Sequence, residues 1–433
     1  MASTSCELQS HLPEDILADI LRRLPLRTLA RFRCVSKSWR SLFADPFFVR
    51  THLNFLKLHP HLNTRIILSR YIHPPLSVGP EDYSSLPTAE DDSKCGFEIS
   101  QELHLPPILG NIYSVKGHCD GLICVIISDG SIVLWNPSIR EYRKLPTPSN
   151  FRKTREVLGL GFDPSLNDYK IVRAPSDYCN CKIKDYHPQI EVFTLGSNSW
   201  RKLPDEETPP FFIQHYQQSL TLNGGLYWLT MEDFRTIILR FDLVEEKFKV
   251  VPPPPQDGPG RNIAWLGVLN DSLCVFHSQR FTYIDIWTTM DDQTWTKLIT
   301  IPKIHEPEPS LRCLDYSPLC FMKSGTLLMR VRGKGLVAYD PVDDRYSKLA
   351  VLESESWLHE TVCTESLVSP YGCNRALEQT GSSSTITLNL WKLLLDLKNG
   401  VSQLLAMERP ARLLPALAMY KHLRNCITCK NLN

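Results

Sequence analysis

Trp135-Asn136-Pro137-Ser138-Ile139-Arg140-Glu141-Tyr142-Arg143-Lys144-Leu145-Pro146 is the stretch on which the reading of this 433-residue chain turns. An aromatic is followed by a turn-forming residue, and a second aromatic leads into Lys-Leu. The same ending recurs from Phe193 to Trp200-Arg201-Lys202-Leu203-Pro204 and from Phe241-Asp242 to Phe248-Lys249-Val250-Val251-Pro252. It returns from Trp287 to Trp295-Thr296-Lys297-Leu298 and from Tyr339-Asp340-Pro341 to Tyr346-Ser347-Lys348-Leu349. The two aromatics are seven residues apart in four copies and eight in the Trp287 copy. Each ending reads as strand, tight turn and strand, with the aromatics as cross-strand neighbours.

Ahead of each ending lies a second hairpin. Gly121-Leu122-Ile123-Cys124-Val125 turns at Asp129-Gly130, and Leu220-Thr221-Leu222 turns at Asn223-Gly224-Gly225. Gly267-Val268-Leu269 turns at Asn270-Asp271, and Cys320-Phe321-Met322 at Lys323-Ser324-Gly325-Thr326. Two hairpins per repeat make a four-stranded blade. The second aromatics recur at intervals of 47 to 58 residues, near the roughly 50-residue period of kelch-type blades. A ring of such blades leaves only short, protected edges. The reading is a six-bladed propeller: five blades are visible as repeats. A sixth combines strands near Ile66 and Phe97 with a C-terminal strand from Glu365 to Ser369.

Composition sets the outer bounds. The chain is 42% hydrophobic and 22% charged, with a net charge of +1, as expected of a globular protein. That balance argues against nucleic acid as the main partner, since such binders carry a basic surplus. Met1 to Ser10 is polar and lacks the apolar run of an export signal. No run of eighteen apolar residues exists to span a membrane. The fourteen cysteines stand mostly singly in apolar contexts (Cys34, Cys124, Cys274, Cys320), as buried thiols in a reducing compartment do. The expected location is cytoplasmic and/or nuclear.

Before the repeats, about forty residues carry three short helical patterns, too few to make a stable core alone. Pro13 suits a first helical turn, and Glu14 and Asp15 favour its positive dipole end. Ile16, Leu17, Ile20, Leu21 and Leu24 form one apolar stripe, which Pro25 ends. A second helix is predicted from near Thr28, presenting Leu29, Phe32 and Val35. A third starts at Ser36 or Ser38 and presents Trp39, Leu42 and Phe43. Asp45-Pro46 opens a last turn with Phe47, Phe48 and Val49. Between Arg22 and Lys37 lie six basic residues and no acid.

Leu12-Pro13-Glu14-Asp15-Ile16-Leu17, Leu24-Pro25, Leu29, Cys34-Val35-Ser36-Lys37-Ser38-Trp39 and Leu42 resemble the F-box motif, in order and without gaps. The resemblance implies a three-helix module that docks on an SKP-family adaptor and through it a cullin. It implies adaptor contacts from Leu12, Pro13, Ile16, Leu17, Ile20, Leu24, Pro25, Leu29, Val35, Trp39 and Leu42. The adaptor face is acidic in that family, which suits Arg22, Arg23, Arg27, Arg31, Arg33, Lys37 and Arg40. Gly117-His118-Cys119-Asp120-Gly121-Leu122, Trp135-Asn136-Pro137-Ser138, Leu158-Gly159-Leu160-Gly161-Phe162-Asp163-Pro164 and Asp168-Tyr169-Lys170-Ile171-Val172 resemble the F-box-associated interaction domain of plant F-box proteins. That implies a kelch-like, substrate-binding propeller and leaves the substrate open.

The expected architecture is therefore an α+β multidomain chain. An F-box spans residues 8–53, an all-β propeller 60–370 and a partly disordered and helical extension 371–433. The expected function is the substrate-recognition subunit of an SKP-cullin-F-box ubiquitin ligase, binding a target protein through the propeller. It has no catalytic residues, cofactor or metal of its own. A non-degradative F-box scaffold and a propeller enzyme with a helical appendage are the alternatives. Gly159-Leu160-Gly161-Phe162 reads as a turn between strands, without the third glycine and helix of a nucleotide loop. His118 reads as a hairpin-corner residue that orders its turn. Cys179-x-Cys181 with His187, and His422 with Cys426-x-x-Cys429, lack a clean second ligand pair. Pro252 to Pro255 reads as a rigid inter-blade linker.

Overall fold

The structure, a computed structural model, describes residues 21–372 apart from 25, 34–36, 60–63, 71–72, 79–100, 103–110, 149, 152–155, 176–188, 210–217, 233–234, 256–262, 280–282, 303–315, 323, 332–334 and 351–356. Two compact units emerge, one of residues 1–55 with 375–433, the other of residues 56–374. The tail helices expected after residue 372, Phe97 and both Cys/His groupings lie outside the described residues.

In the first unit Leu21 and Arg22 are helical, and α1 (Leu26–Phe32), α2 (Lys37–Leu42) and α3 (Pro46–Leu58) follow. Helix α1 begins two residues earlier than the sequence reading and stops at Phe32. The single turn expected at Asp45-Pro46 is instead a 13-residue helix. Its start is capped: Asp45 Oδ1 accepts the Phe48 amide at 2.8 Å, and proline at the first position loses no helical bond.

The second unit is built of four-stranded antiparallel sheets. Five take consecutive strands. Blade 1 is β4 (Ile112–Cys119), β5 (Leu122–Ile127), β6 (Ile132–Asn136) and β7 (Glu141–Lys144). Blade 2 is β8 (Glu156–Asp163), β9 (Asp168–Pro175), β10 (Glu191–Thr194) and β11 (Ser199–Lys202). Blade 3 is β12 (Leu220–Leu222), β13 (Gly225–Glu232), β14 (Arg235–Asp242) and β15 (Phe248–Val251). Blade 4 is β16 (Ile263–Leu269), β17 (Ser272–Gln279), β18 (Tyr283–Thr289) and β19 (Thr296–Pro302). Blade 5 is β20 (Tyr316–Phe321), β21 (Leu327–Val331), β22 (Gly335–Asp340) and β23 (Arg345–Ala350). A further sheet joins the two ends of the domain: β24 (Trp357–Thr364) pairs with β1 (Thr64–Arg70), then β2 (His73–Val78) and β3 (Gln101–Glu102) follow.

The first strands of successive blades touch, and β24 lies against both β20 and β4, so the inner strands close on themselves. The closing strand ends at Thr364, paired with Thr64. Glu365 to Ser369, expected as that strand, is irregular, because its carbonyls are taken by a side chain of blade 1. The core lies between blades: Val157, Val192, Leu226, Trp228 and Phe241 join blades 2 and 3, while Phe276, Ile286, Tyr316, Met329 and Tyr339 join blades 4 and 5. Each such buried side chain contributes about 1.5–3 kcal/mol. The outermost strands carry exposed Lys144, Lys202, Lys249 and Lys297, charges that discourage edge-to-edge pairing.

The aromatic pairs of the repeat face each other as expected in four blades: Trp135↔Tyr142, Phe193↔Trp200, Phe241↔Phe248 and Tyr339↔Tyr346. Blade 4 departs. Its turn is longer, the register shifts at Trp287, and Lys297 rather than Trp295 stands opposite Trp287. Trp295 reaches back instead, its Nε1 donating to the Pro252 carbonyl at 2.7 Å. The same bond to the proline ending the previous blade is made by Trp200 Nε1 to Pro146 (2.7 Å) and by the Tyr346 hydroxyl to Pro302 (2.5 Å). In blades 2, 4 and 5 the second aromatic of the repeat is thus an inter-blade strap. Pro252–Pro255 is the stretch that leaves blade 3 for blade 4.

Gly159-Leu160-Gly161-Phe162 is not a turn: it lies within β8. A Cβ at Gly159 would fall 2.6 Å from Trp228 Cζ2, and one at Gly161 2.4 Å from Leu243 Cδ1. These glycines allow blade 3 to approach β8.

Candidate docking site

The helical module is organised by an aromatic series. Phe32 meets Trp39 edge-on at 5.1 Å, Trp39 meets Phe43 at 5.4 Å, and Phe43 meets Phe48 at 5.4 Å. His52 stacks on Phe48 with an interplanar angle of 7° and is fully buried. Its Nε2 lies 3.4 Å from the Leu24 carbonyl. Burial pulls its pKa down from 6.5 to about 4, against a small raising effect of that carbonyl.

Around this core the surface is basic: Arg23, Arg31, Lys37 and Arg40 are exposed. From Arg22 to Arg50 the sequence holds eight basic residues and one acid, Asp45. Such a field speeds encounter with an acidic partner, and apolar contacts supply the affinity. Phe47 is 77% exposed at the start of α3.

Of the residues assigned to adaptor contact, Leu12, Pro13, Ile16, Leu17, Ile20, Pro25 and Val35 lie outside the described residues. Leu29 and Trp39 are core side chains, 0% and 3% exposed. Leu24 and Leu42 are half-buried and keep a face toward solvent. Sequence reasoning placed Phe47 in a last turn but did not single out His52; an apolar helix running on past Asp45-Pro46 was the signal for it.

In the propeller several charged side chains are buried in pairs. Arg173 donates to Glu156 through Nε (2.8 Å) and Nη2 (2.9 Å) and to Glu191 through Nη1, all three side chains being buried. Lys170 bridges Asp163 (2.6 Å) and Glu246 (2.8 Å), and Arg201 also pairs with Glu246. Lys170 and Arg201 belong to blade 2, Glu246 to blade 3, so these pairs stitch neighbouring blades. The pairing holds Asp163 and Glu246 below the usual carboxylate range, outweighing the raising effect of burial. At the first hairpin corner the Asp120 carboxylate accepts the Tyr169 hydroxyl of blade 2 at 3.0 Å. His118 is half-buried in β4, and burial lowers its pKa to about 4 despite Asp120.

Cys124 and Cys274 are buried free thiols, as read from the sequence; Cys320 is half-buried. Burial raises Cys124 to about 12 and Cys320 to about 11, which keeps both unreactive. Among the described residues no three His, Cys, Asp or Glu side chains gather as a metal site. Among them, too, no helix is long and apolar enough to cross a membrane.

A basic helical module preceding a ring of four-stranded blades defines an F-box protein with a propeller. The chain belongs to the F-box associated beta propeller domain family, whose family model matches residues 92–369, and the F-box domain model matches residues 9–51. Among curated proteins it is similar to F-box protein CPR1 of Arabidopsis thaliana, 28% identical over 393 residues that cover 84% of this chain and 89% of that one. It is also similar to the putative F-box/kelch-repeat protein At1g13200 of Arabidopsis thaliana, 27% identical over 384 residues, covering 77% and 85%.

Proposed function

We propose that this protein is the substrate receptor of an SKP-cullin-F-box ubiquitin ligase, working in the cytosol or nucleus without catalytic chemistry of its own. The observation that carries the reading is the F-box match over residues 9–51 on a module with a strongly basic surface. Residues 8–53 dock on the adaptor, residues 60–370 hold the target and residues 371–433 extend the chain. Leu12, Pro13, Ile16, Leu17, Ile20, Pro25, Val35, Leu24 and Leu42 touch the adaptor. Leu29 and Trp39 act from inside, by holding the helices that present the others.

The target binds the propeller on the side from which the blade-to-blade connections leave. Turns within hairpins such as residues 120–121, 164–167 and 341–344 are short, whereas connections such as 145–155, 203–219 and 303–315 are long. Loops on a rigid scaffold carry recognition.

Pull-down of the full chain on an SKP-family adaptor tests the reading. Wild type is captured, and the Leu12→Ala/Pro13→Ala double variant loses at least tenfold in retention. Equal capture of both, or of neither, overturns it.

A further inference from the structure

Blades 1, 3 and 5 each end their third strand on an Asx turn. Asp242 Oδ1 accepts the Val244 amide at 3.0 Å, Asp340 Oδ1 accepts that of Val342 at 2.9 Å, and Asn136 Oδ1 accepts that of Ser138 at 2.9 Å. The turn needs only an acceptor, and aspartate supplies it twice. Blade 1 has asparagine, and its second atom is used. Asn136 Nδ2 donates to the Ser366 carbonyl at 3.0 Å and to the Val368 carbonyl at 2.8 Å, with both Asn136 and Ser366 fully buried. Ser366 Oγ in turn donates to the Asp120 carbonyl at 2.5 Å and accepts the Val368 amide at 3.1 Å.

The stretch continues outward. Ser369 Oγ donates to Glu141 at 2.7 Å, and the Arg143 guanidinium lies 5.7 Å from the Tyr371 ring centre. A Cβ at Gly372 would stand 3.5 Å from Leu195 of blade 2. Gly121, with φ of +81°, has no room for a side chain: its Cβ would fall 2.4 Å from Ser366 Oγ. Residues 365–372 therefore leave the closing strand, cross blade 1 and reach blade 2.

We propose that this strap, gripped by Asn136, is a second lock on the ring, independent of the β24–β1 ladder, and that it keeps the closing strands from opening. Asn136→Asp is the sharpest probe. It keeps the acceptor for Ser138 but points a carboxylate oxygen at two carbonyls in a buried site, where an unmatched acceptor pair is costly. Asp340→Asn is the control, since that turn lacks the second role.

Hydrogen exchange of the full chain, followed peptide by peptide, reads the result. Asn136→Asp is expected to speed exchange at least tenfold in Trp357–Thr364 and Thr64–Arg70 while Ser272–Gln279 in blade 4 is unchanged; Asp340→Asn changes neither. Should Asn136→Asp not fold, Asn136→Ser replaces the two-donor amide with a single, shorter hydroxyl that cannot reach both carbonyls, and Ser366→Ala loosens the strap from its other side. Each is expected to speed exchange in the same two strands. Exchange there at wild-type rates in the folded variants, or an equal rise in every blade, overturns the lock.

Discussion

The helical module and the propeller solve the problem of cohesion with different materials. The module relies on one aromatic series, Phe32, Trp39, Phe43 and Phe48, ending on a buried histidine that does not find a strong partner. The propeller spreads its core over several blade junctions and adds buried ion pairs and, in blades 2, 4 and 5, aromatic straps to the proline that ends the preceding blade. A small helical unit buries too little surface to be robust alone, whereas a ring in which each blade touches two others has reserves. The difference fits the proposed division of labour, in which an adaptor completes the module and the propeller is a finished platform.

The comparison breaks most sharply at Arg173. Arg173→Met removes the guanidinium that the buried Glu156 and Glu191 both accept from, which costs about 3–5 kcal/mol. Denaturant unfolding should show the propeller transition moved by that amount, while adaptor capture by the separate module survives. If adaptor capture falls in step with propeller stability, the two regions are not independent.

Acid attacks the module more than the ring. His52 has a folded pKa of about 4 and an unfolded value near 6.5, so the unfolded chain takes the proton first. Stability from keeping His52 neutral is full above about pH 6.5 and is lost progressively as pH falls toward 4, up to about 3 kcal/mol. His118 in the propeller is shifted to the same value and costs as much over the same range, but the ring carries that cost on a much larger core. The carboxylates of Asp163 and Glu246 are depressed, and their contribution is lost only below the ordinary carboxylate range. A pH titration of thermal unfolding should therefore show the module's transition falling first, between pH 6.5 and 4, and His52→Leu should flatten that fall. A fall that persists in the variant would assign the acid sensitivity elsewhere.

What the sequence made legible follows the range of the interactions. The aromatic endings are local, seven residues across a hairpin, so the pattern reveals the blades directly. The closing sheet pairs Thr64 with Thr364, and no local pattern marks where β24 stops or that Asn136 would claim the carbonyls of residues 366 and 368. Gly159 and Gly161 look like a turn because sequence records a missing side chain and not the tryptophan that needs its space. In the module, Leu29, Trp39, Leu24 and Leu42 share one residue class and one helical periodicity. Only packing divides them into core and surface, which is why a motif match names docking residues more readily than it sorts them.

The smallest effect is the one that best measures how the ring is stitched. Trp200, Trp295 and Tyr346 each donate to the proline carbonyl that closes the preceding blade, but blade 3 has Phe248 at that repeat position and no such donor. The junction between blades 2 and 3 instead carries the Lys170–Glu246 and Arg201–Glu246 pairs. Trp295→Phe removes one neutral hydrogen bond while keeping an aromatic ring, and should cost about 0.5–1.5 kcal/mol. Because the ring is closed, hydrogen exchange should rise at β15 and β19 on either side of that junction and not at blade 2. A rise shared equally by blade 2 would mean that the strap stabilises the ring as a whole rather than the junction it spans. In that case the ion pairs at the blade 2–3 junction would not be a local substitute for the missing donor.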